Sequence, residues 1–266
     1  MKTETQHWIA LMAVVALLQG CATQLAFHPG AADLGAESPS TAPVLRFQTN
    51  SIESAALLAP EVLQPGDILL TSEPTLISAS IRLMTFAPVS HAAVYVGERQ
   101  VVEAVRSGVR VRKLEEILAE ATVVLVLRYP DLTDEQAALI TEYALNKSGA
   151  GFNFLGITLQ IPFTISRRLC ELPFVSLAVR DACIRGMGVL HQLAASENQL
   201  FCSQLVLQAY RHAAVPVTAA DPRLISPADI LHMRERDVSS VKISKPLAYV
   251  GRLQHERPVT TLASTD

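Results

Sequence analysis

Two residues of the chain, Cys202 and His91, have neighbours typical of a thiol nucleophile and the base that activates it. Cys202 lies in the stretch NQLFCSQLVLQAYRHA, whose apolar residues recur at helical spacing and predict a helix that begins at the cysteine. The positive end of a helix dipole stabilises a thiolate, and a nearby imidazolium lowers the pKa of the thiol further. His91 precedes the run AAVYVG, which is typical of a buried strand. These residues alone leave two interpretations open: a Cys–His pair for nucleophilic catalysis, or an inert core thiol and a histidine hydrogen-bonded at a strand end.

Residues 1–20 predict a lipoprotein signal peptide. A short polar start precedes an apolar run at 8–18 that is too short to span a bilayer. The following LLQGC resembles the bacterial lipobox, in which the cysteine receives a diacylglyceryl group, so Cys21 is the predicted lipidation site and membrane anchor. Ala22, rather than an aspartate, favours the outer membrane, with the protein facing the periplasm. The alternative is a conventional signal peptide in which Cys21 follows a glycine by chance.

The number of cysteines favours a free thiol at position 202. The chain has four cysteines, and removing the lipidated Cys21 leaves Cys170, Cys183 and Cys202, an odd number in an oxidising compartment. Cys170 and Cys183 lie in one segment, separated by a short loop that a disulfide could close. We therefore predict a Cys170–Cys183 disulfide, which leaves Cys202 unpaired.

The remaining sequence predicts one α+β domain behind a tether. Residues 21–60 are rich in Ala, Ser, Thr and Pro without a sustained period, which is typical of a flexible tether. The folded domain is placed at residues 61–255, opening on a turn that Asp67 caps, and a tail at 256–266. Segments rich in β-branched residues predict a meander of antiparallel strands, in the stretches DILL, HAAVYVG, QVVEAV, VRVRKL and VVLVLRY.

Two helices are predicted beside these strands, and an insertion separates them. Residues 133–148 carry apolar residues at helical spacing behind a Thr-Asp-Glu start, and the second helix follows Phe201. The insertion at 156–198 is too polar and too interrupted for a membrane span. It is either a lid or interfacial element over the active site, or a plain insertion packed on the domain.

Composition and charge exclude several classes of function. The formal net charge is −3 and no run of Lys or Arg occurs, so nucleic acid is not an expected partner. The histidines other than His91 are scattered without the spacing of metal ligands, and glycine-rich phosphate loops are absent. We therefore expect no metal and no cofactor.

Six motifs in order resemble a known family. The chain is similar to the permuted NlpC-type papain-like cysteine hydrolases, in the YiiX/YaeF branch found as bacterial lipoproteins. This resemblance implies a circularly permuted papain-like fold, in which an antiparallel sheet or barrel packs against the helix that carries the cysteine. The motifs are LQPGDILL, SHAAVYVG, VVEA, GFNFLG, FCSQLV and ISPADIL.

The resemblance also implies the roles of three residues. Cys202 of FCSQLV becomes the nucleophile, His91 of SHAAVYVG the general base, and Glu103 of VVEA the residue that orients the imidazole. For Glu103 the alternative is an exposed strand residue. The oxyanion hole is expected to use the backbone N–H of Cys202.

Three functions remain possible at this point. The first is a peptidase or amidase that forms an acyl-enzyme on cell-wall peptides, as the NlpC-type resemblance implies. The second is an acyl hydrolase or acyltransferase acting on lipid esters, which resembles the lecithin:retinol acyltransferase group. The third is an envelope binding protein with a decayed site, against which the presence of Cys202, His91 and a carboxylate argues.

Overall fold

The chain forms a mixed α+β domain, seen in a computed structural model that describes residues 23–27, 43–47, 56–152, 178–179, 182–183 and 199–253. The strands are β1 (Thr23–Phe27), β2 (Pro43–Phe47), β3 (Leu57–Leu58), β4 (Ile68–Ser72), β5 (His91–Gly97), β6 (Gln100–Val105), β7 (Gly108–Lys113), β8 (Val123–Arg128), β9 (Gly151–Phe152), β10 (Gln199–Leu200) and β11 (Ala248–Leu253). The helices are α1 (Leu76–Thr85), α2 (Leu114–Glu120), α3 (Asp134–Asn146), α4 (Cys202–His212) and α5 (Pro227–Leu231).

Seven strands form one sheet in the order β3-β11-β8-β4-β5-β6-β7. Neighbouring strands are antiparallel, except that β3 runs parallel to β11. The central strands β4 and β8 read ILLTS and VVLVLR, and such continuous apolar residues fit a sheet that is covered on both faces. The predicted meander is confirmed for β4, β5, β6 and β7, which pair in sequence order. It is wrong for β8, which pairs with β4 and β11 and not with β7.

The sheet is open, so the expectation of a closed barrel is wrong. Closure would require the edge strands β3 and β7 to pair along their length. β3 has only two residues. The outer edge of β7 instead bonds to the following chain, because the Val109 N–H donates to Ala150 O and the Gly149 N–H donates to Val109 O, both at 2.8 Å. Gly108 permits this approach, since a Cβ there would lie 2.7 Å from Ala150 O.

The two faces of the sheet carry separate cores. Alternate residues of a strand point to opposite faces. Ala92 of β5 therefore belongs to the larger core, which includes Tyr210 of α4. Ala93 belongs to the smaller core, which includes Ile117 of α2. The sheet thus lies between α4 and α2, and this arrangement positions the site described below.

Both helices predicted from apolar spacing are confirmed. α3 begins with a capping box, in which the Gln136 N–H donates to Thr133 Oγ1 at 3.2 Å and the Thr133 N–H donates to Gln136 Oε1 at 3.1 Å. α4 begins at Cys202, as the sequence predicts. α1 and α2 are not predicted from the sequence, and α2 begins at Leu114, the last residue of the predicted strand VRVRKL.

The segment predicted as a tether, residues 21–60, contains three strands, although no strand is predicted there. β1 and β2 pair antiparallel, and β3 joins the seven-stranded sheet beside β11, so the folded domain begins before residue 61. The signal peptide, the rest of the tether before residue 56, most of the insertion at 156–198 and the tail lie outside the described residues, so these boundaries stay predictions. Among the residues that are described, no helix combines the length and apolar character needed to cross a membrane.

Candidate active site

β5 and β6 place His91 beside Glu103. His91 is the first residue of β5, and Glu103 lies opposite Ala93 in the β5–β6 ladder. Because His91 and Ala93 are two residues apart, they share a face of the sheet with Glu103. The Nε2 atom of His91 lies 2.9 Å from Glu103 Oε2, and the two side chains are 17% and 3% exposed. Glu103 is therefore a buried partner of His91 and not an exposed strand residue.

Cys202 brings a thiol to the same ring from the other layer of the fold. It is a free, buried cysteine at the first position of α4, directly after the N-cap residue Phe201. The His91 ring and the backbone N–H groups of Ala92 and Ser203 lie near enough to its sulfur to lower the pKa of the thiol. Since Nε2 of His91 is hydrogen-bonded to Glu103, Nδ1 is the ring nitrogen that is available to interact with the Cys202 sulfur.

The location of His91 at the end of β5 allows one ring to contact both layers. Strand alternation puts His91 on the face that packs against α2, whereas Cys202 belongs to the core on the opposite face. A residue in the middle of β5 would be confined to one face. The first residue of the strand lies at the rim of the sheet, where α4 begins, and its ring bridges Glu103 and Cys202.

The surrounding charges favour the ionised form of the Cys202–His91 pair. Burial by itself raises the pKa of Cys202, but the positive charge of His91 and the hydrogen bonds to the sulfur lower it below its ordinary value. Burial by itself lowers the pKa of His91, but the charge of Cys202 and the hydrogen bonds to Cys202 and Glu103 raise it to about 10. Both pKa shifts therefore favour a thiolate beside an imidazolium.

Two arginines that are not predicted as site residues from the sequence hold the second oxygen of Glu103. Arg110 lies directly opposite Glu103 in the β6–β7 ladder, with Nη2 at 2.8 Å from Oε1. Arg112, two residues further along β7, has Nη1 at 3.5 Å from the same oxygen and Nη2 at 2.8 Å from Glu120 Oε1. A signal was present, because the arginines alternate in GVRVRK directly after the Glu103 strand.

The pKa of Glu103 reflects these partners. Burial by itself raises the pKa of this carboxyl group, but the hydrogen bonds and charges of His91 and Arg110 lower it to about 2. Glu103 is therefore charged at neutral pH and accepts a hydrogen bond from the His91 ring, which fixes the orientation of the ring.

A cavity of about 620 Å³ opens onto the Cys202–His91 pair. Its walls combine apolar side chains with a few charges, among them Glu73 and Arg106. The cavity is large enough for a short peptide or an acyl chain. The apolar lining residues are Ile77, Ile81, Ala104, Val105 and Phe152.

The polar residues that flank the pair in sequence have partners within the fold. Ser90 Oγ lies 2.6 Å from Ser78 Oγ, which ties α1 to the residue before His91. The hydroxyl of Ser203 donates to Ile225 O at 2.5 Å and joins α4 to the loop before α5. These two serines therefore fix the elements on which His91 and Cys202 lie.

Two of the other three cysteines with predicted roles lie outside the described residues. Cys183 is disulfide-bonded, while Cys170 and Cys21 belong to segments that are not described. The Cys170–Cys183 pairing and the lipidation of Cys21 thus stay predictions. In the described ranges, no group of three or more His, Cys, Asp or Glu side chains could hold a metal ion.

Sequence comparisons with known proteins identify one family. A sequence model described as a permuted papain-like amidase enzyme of the YaeF/YiiX, C92 family matches residues 62–156, which include His91 and Glu103. The chain is 35% identical over 244 residues to the probable lipoprotein peptidase YaeF of Escherichia coli (strain K12), covering 90% of this chain and 89% of that protein. A crystal structure described as metalloprotein yiiX from Escherichia coli O157:H7 aligns with a TM-score of 0.41 and 18% identity, over 73% of this chain and 98% of the other.

Proposed function

The chain belongs to the family of permuted papain-like amidases, and from this premise we propose that it is a cell-envelope thiol hydrolase that cleaves peptide amides through an acyl-enzyme. Cys202 is the nucleophile, His91 the general base and acid, and Glu103 the residue that orients the His91 ring. One observation carries the proposal: a single histidine ring contacts both a buried free thiol and a buried carboxylate.

Acylation follows from the ionised pair. The Cys202 thiolate attacks the carbonyl carbon of the amide, and the carbonyl oxygen becomes an oxyanion that the backbone N–H of Cys202 stabilises. The His91 imidazolium then donates its proton to the leaving nitrogen, the C–N bond breaks, and an amine departs. The products of this half-reaction are a thioester on Cys202 and a neutral His91.

Deacylation restores the starting state. Neutral His91 takes a proton from water while the water oxygen attacks the thioester carbonyl carbon. The C–S bond breaks, the carboxylic acid departs, and the thiolate and imidazolium form again. Glu103 holds the ring through both half-reactions, because its Oε2 accepts from Nε2 while Arg110 occupies Oε1.

We propose cell-wall peptides as the substrate class and the envelope as the location. The family is one of amidases, and the YaeF relative is named a probable lipoprotein peptidase. The lipobox at Cys21 would anchor this chain to a membrane. The predicted location is the outer membrane, with the protein facing the periplasm. A Cys21→Ser variant is expected to stay unprocessed or to leave the membrane fraction. Unchanged processing and fractionation would contradict the anchoring.

Hydrolysis of lipid acyl esters is the second candidate. The apolar lining of the cavity, with Ile77, Ile81 and Phe152, favours it, because an acyl chain would bury apolar surface there. The same Cys202 thioester would form, with an alcohol as the leaving group in place of an amine.

The test compares both substrate classes on one protein. The purified mature chain is incubated with cell-wall stem peptides or with phospholipid, and mass spectrometry records the products and any acyl group on Cys202. We expect peptide cleavage and a peptidyl thioester, both absent in Cys202→Ala and His91→Ala. His212→Ala, which changes an exposed histidine on the same helix as Cys202, is the matched control and should retain activity. Cleavage that survives Cys202→Ala would overturn the proposal, and an acyl thioester from phospholipid alone would favour the second candidate.

A further inference from the structure

α1 presents an unusual concentration of apolar side chains to solvent. Of the nine large apolar residues that are exposed in the described part of the chain, four lie between positions 76 and 86. Leu76 is 88% exposed and Leu83 72% exposed, and Ile77 and Phe86 are also exposed. Exposed apolar patches of this kind mark contact surfaces in soluble domains.

The spacing of these residues gives α1 an apolar outer face. Leu76 and Leu83 are seven residues apart and therefore lie on one side of the helix, with Ile77 next to them. The inner face is polar: Ser78 and Thr85 are buried, and Ser78 bonds to Ser90 of the sheet. This is the reverse of an ordinary surface helix, whose apolar face packs on the core.

The outer face of α1 adjoins the catalytic cavity. Ile77 and Ile81 line the cavity together with His91 and Cys202. α1 is also joined to the residue before His91 through the 2.6 Å Ser78–Ser90 hydrogen bond. A surface on which α1 docked would therefore lie beside the opening that leads to the thiol.

From this placement we propose that α1 is an interfacial helix, whose outer face inserts into the phospholipid surface to which Cys21 anchors the chain. The proposal rests on the anchoring given under the proposed function. A helix with a large apolar face binds in the headgroup region of a bilayer, and an existing lipid anchor raises the local concentration of the helix at that surface. Docking would hold the catalytic cavity against the membrane and give it access to peptides carried there.

The attachment of the tether is compatible with this orientation. β3 and β4 run in the same direction, so the tether enters before β3 at the end of the sheet opposite the start of α1. Residues 48–55 alone can extend to about 28 Å. A five-residue strand such as β4 is about 17 Å long, so the lipid anchor can reach the surface on which α1 lies.

The test uses the mature chain, residues 21–266, carrying Cys21→Ser so that no lipid is attached. Its sedimentation with vesicles of phosphatidylethanolamine and phosphatidylglycerol is compared with that of a Leu76→Ser/Leu83→Ser variant. We expect the first protein to bind, and the variant to bind about tenfold more weakly for each leucine removed. Leu57→Ser/Leu145→Ser, which changes two exposed leucines far from α1 in the sequence, is the matched control and should bind like the parent.

Several results would overturn the docking proposal. They are no vesicle binding by the parent protein, equal loss in the control, or retained binding in the α1 variant. A lower melting temperature of the α1 variant without vesicle binding would show that another part of the chain covers the face, and loss of a dimer would show that a second copy does. The alkylation rate of Cys202 should not change in the α1 variant. If peptide turnover is never found while vesicle binding depends on Leu76 and Leu83, the proposed reaction fails and the docking stands.

Discussion

Two buried carboxylates of the sheet, Glu103 and Asp67, have similar burial but different partners. Asp67 is 1% exposed, and both of its oxygens lie 2.7 Å from nitrogens of Arg128. The backbone N–H of Gln64 donates to its Oδ2 at 2.8 Å, which confirms that Asp67 caps the predicted turn. Glu103 gives one oxygen to Arg110 and the other to His91. Among the described residues, the hydrogen-bond partners of Asp67 are an arginine and the backbone, whereas Glu103 faces a titratable ring.

This difference separates an ion pair that stabilises the fold from a pair that belongs to the candidate active site. Arg128 stays charged at any pH at which the protein folds, so the Asp67 pair holds the β4 and β8 strand ends together without changing state. The His91 ring is titratable, and Glu103 is one of the partners that raise its pKa to about 10. Removing Asp67 should therefore affect folding, and removing Glu103 should affect chemistry.

The largest expected effect on chemistry comes from Cys202→Ala. Without the sulfur no thioester forms, so peptide turnover should fall to the background rate while the melting temperature changes little. Turnover and acyl-enzyme are measured by mass spectrometry on the same sample. Residual turnover above background would place the nucleophile elsewhere.

The largest expected effect on stability comes from Arg128→Ala. The change leaves the Asp67 charge buried without its partner, which should lower the free energy of unfolding by about 3 kcal/mol. Urea denaturation measures this loss, and Cys202 alkylation in the folded variant should match the wild type. A variant of unchanged stability, or one with altered thiol reactivity, would contradict the structural role of this pair.

Glu103→Gln should, in contrast, mainly reduce turnover. The amide keeps its place beside His91 but loses the charge that orients and stabilises the protonated ring, so turnover should fall on the order of a hundredfold. The lowered pKa of Glu103 also predicts a stability term that is present above pH 4.5 and is lost as the pH falls towards about 2. In urea denaturation, the free energy of unfolding of the variant should lack this part of the acid dependence. The same pH dependence in the variant and the wild type would contradict this role of the Glu103 charge.

The smallest effect is expected for Arg110→Gln. Arg110 neutralises part of the Glu103 charge, so its removal should strengthen the attraction of Glu103 for the His91 imidazolium. The alkaline limb of the pH–rate profile should move slightly upward in pH. Arg110→Lys retains the charge and should leave the limb in place, which a purely structural role of the side chain would not predict.

Much of the fold could be predicted from local patterns, while contacts between distant parts of the chain could not. β5 and α4 follow from short-range apolar spacing, and the bounds of both elements place His91 and Cys202 at their first residues. The sequence left open whether the sheet closes into a barrel, because closure depends on what pairs with the edge of β7, a contact with Ala150 that lies far along the chain. α1 could not be predicted in this way, because its apolar residues face outward and do not follow the usual relation between apolar spacing and burial.

The pH dependence of Cys202 alkylation by iodoacetamide tests the central claim most directly, since the sulfur lines the cavity and needs no known substrate to react. In the wild type, reactivity should reach a plateau well below the pKa of about 8.5 of a free thiol and change again as His91 loses its proton near pH 10. His91→Ala should move the rise to pH 8.5 or above, because burial then acts on the thiol without a compensating charge, and His212→Ala should not. Coincident profiles for the wild type and His91→Ala, both rising at about 8.5 or higher, would show that Cys202 and His91 do not form a thiolate–imidazolium pair.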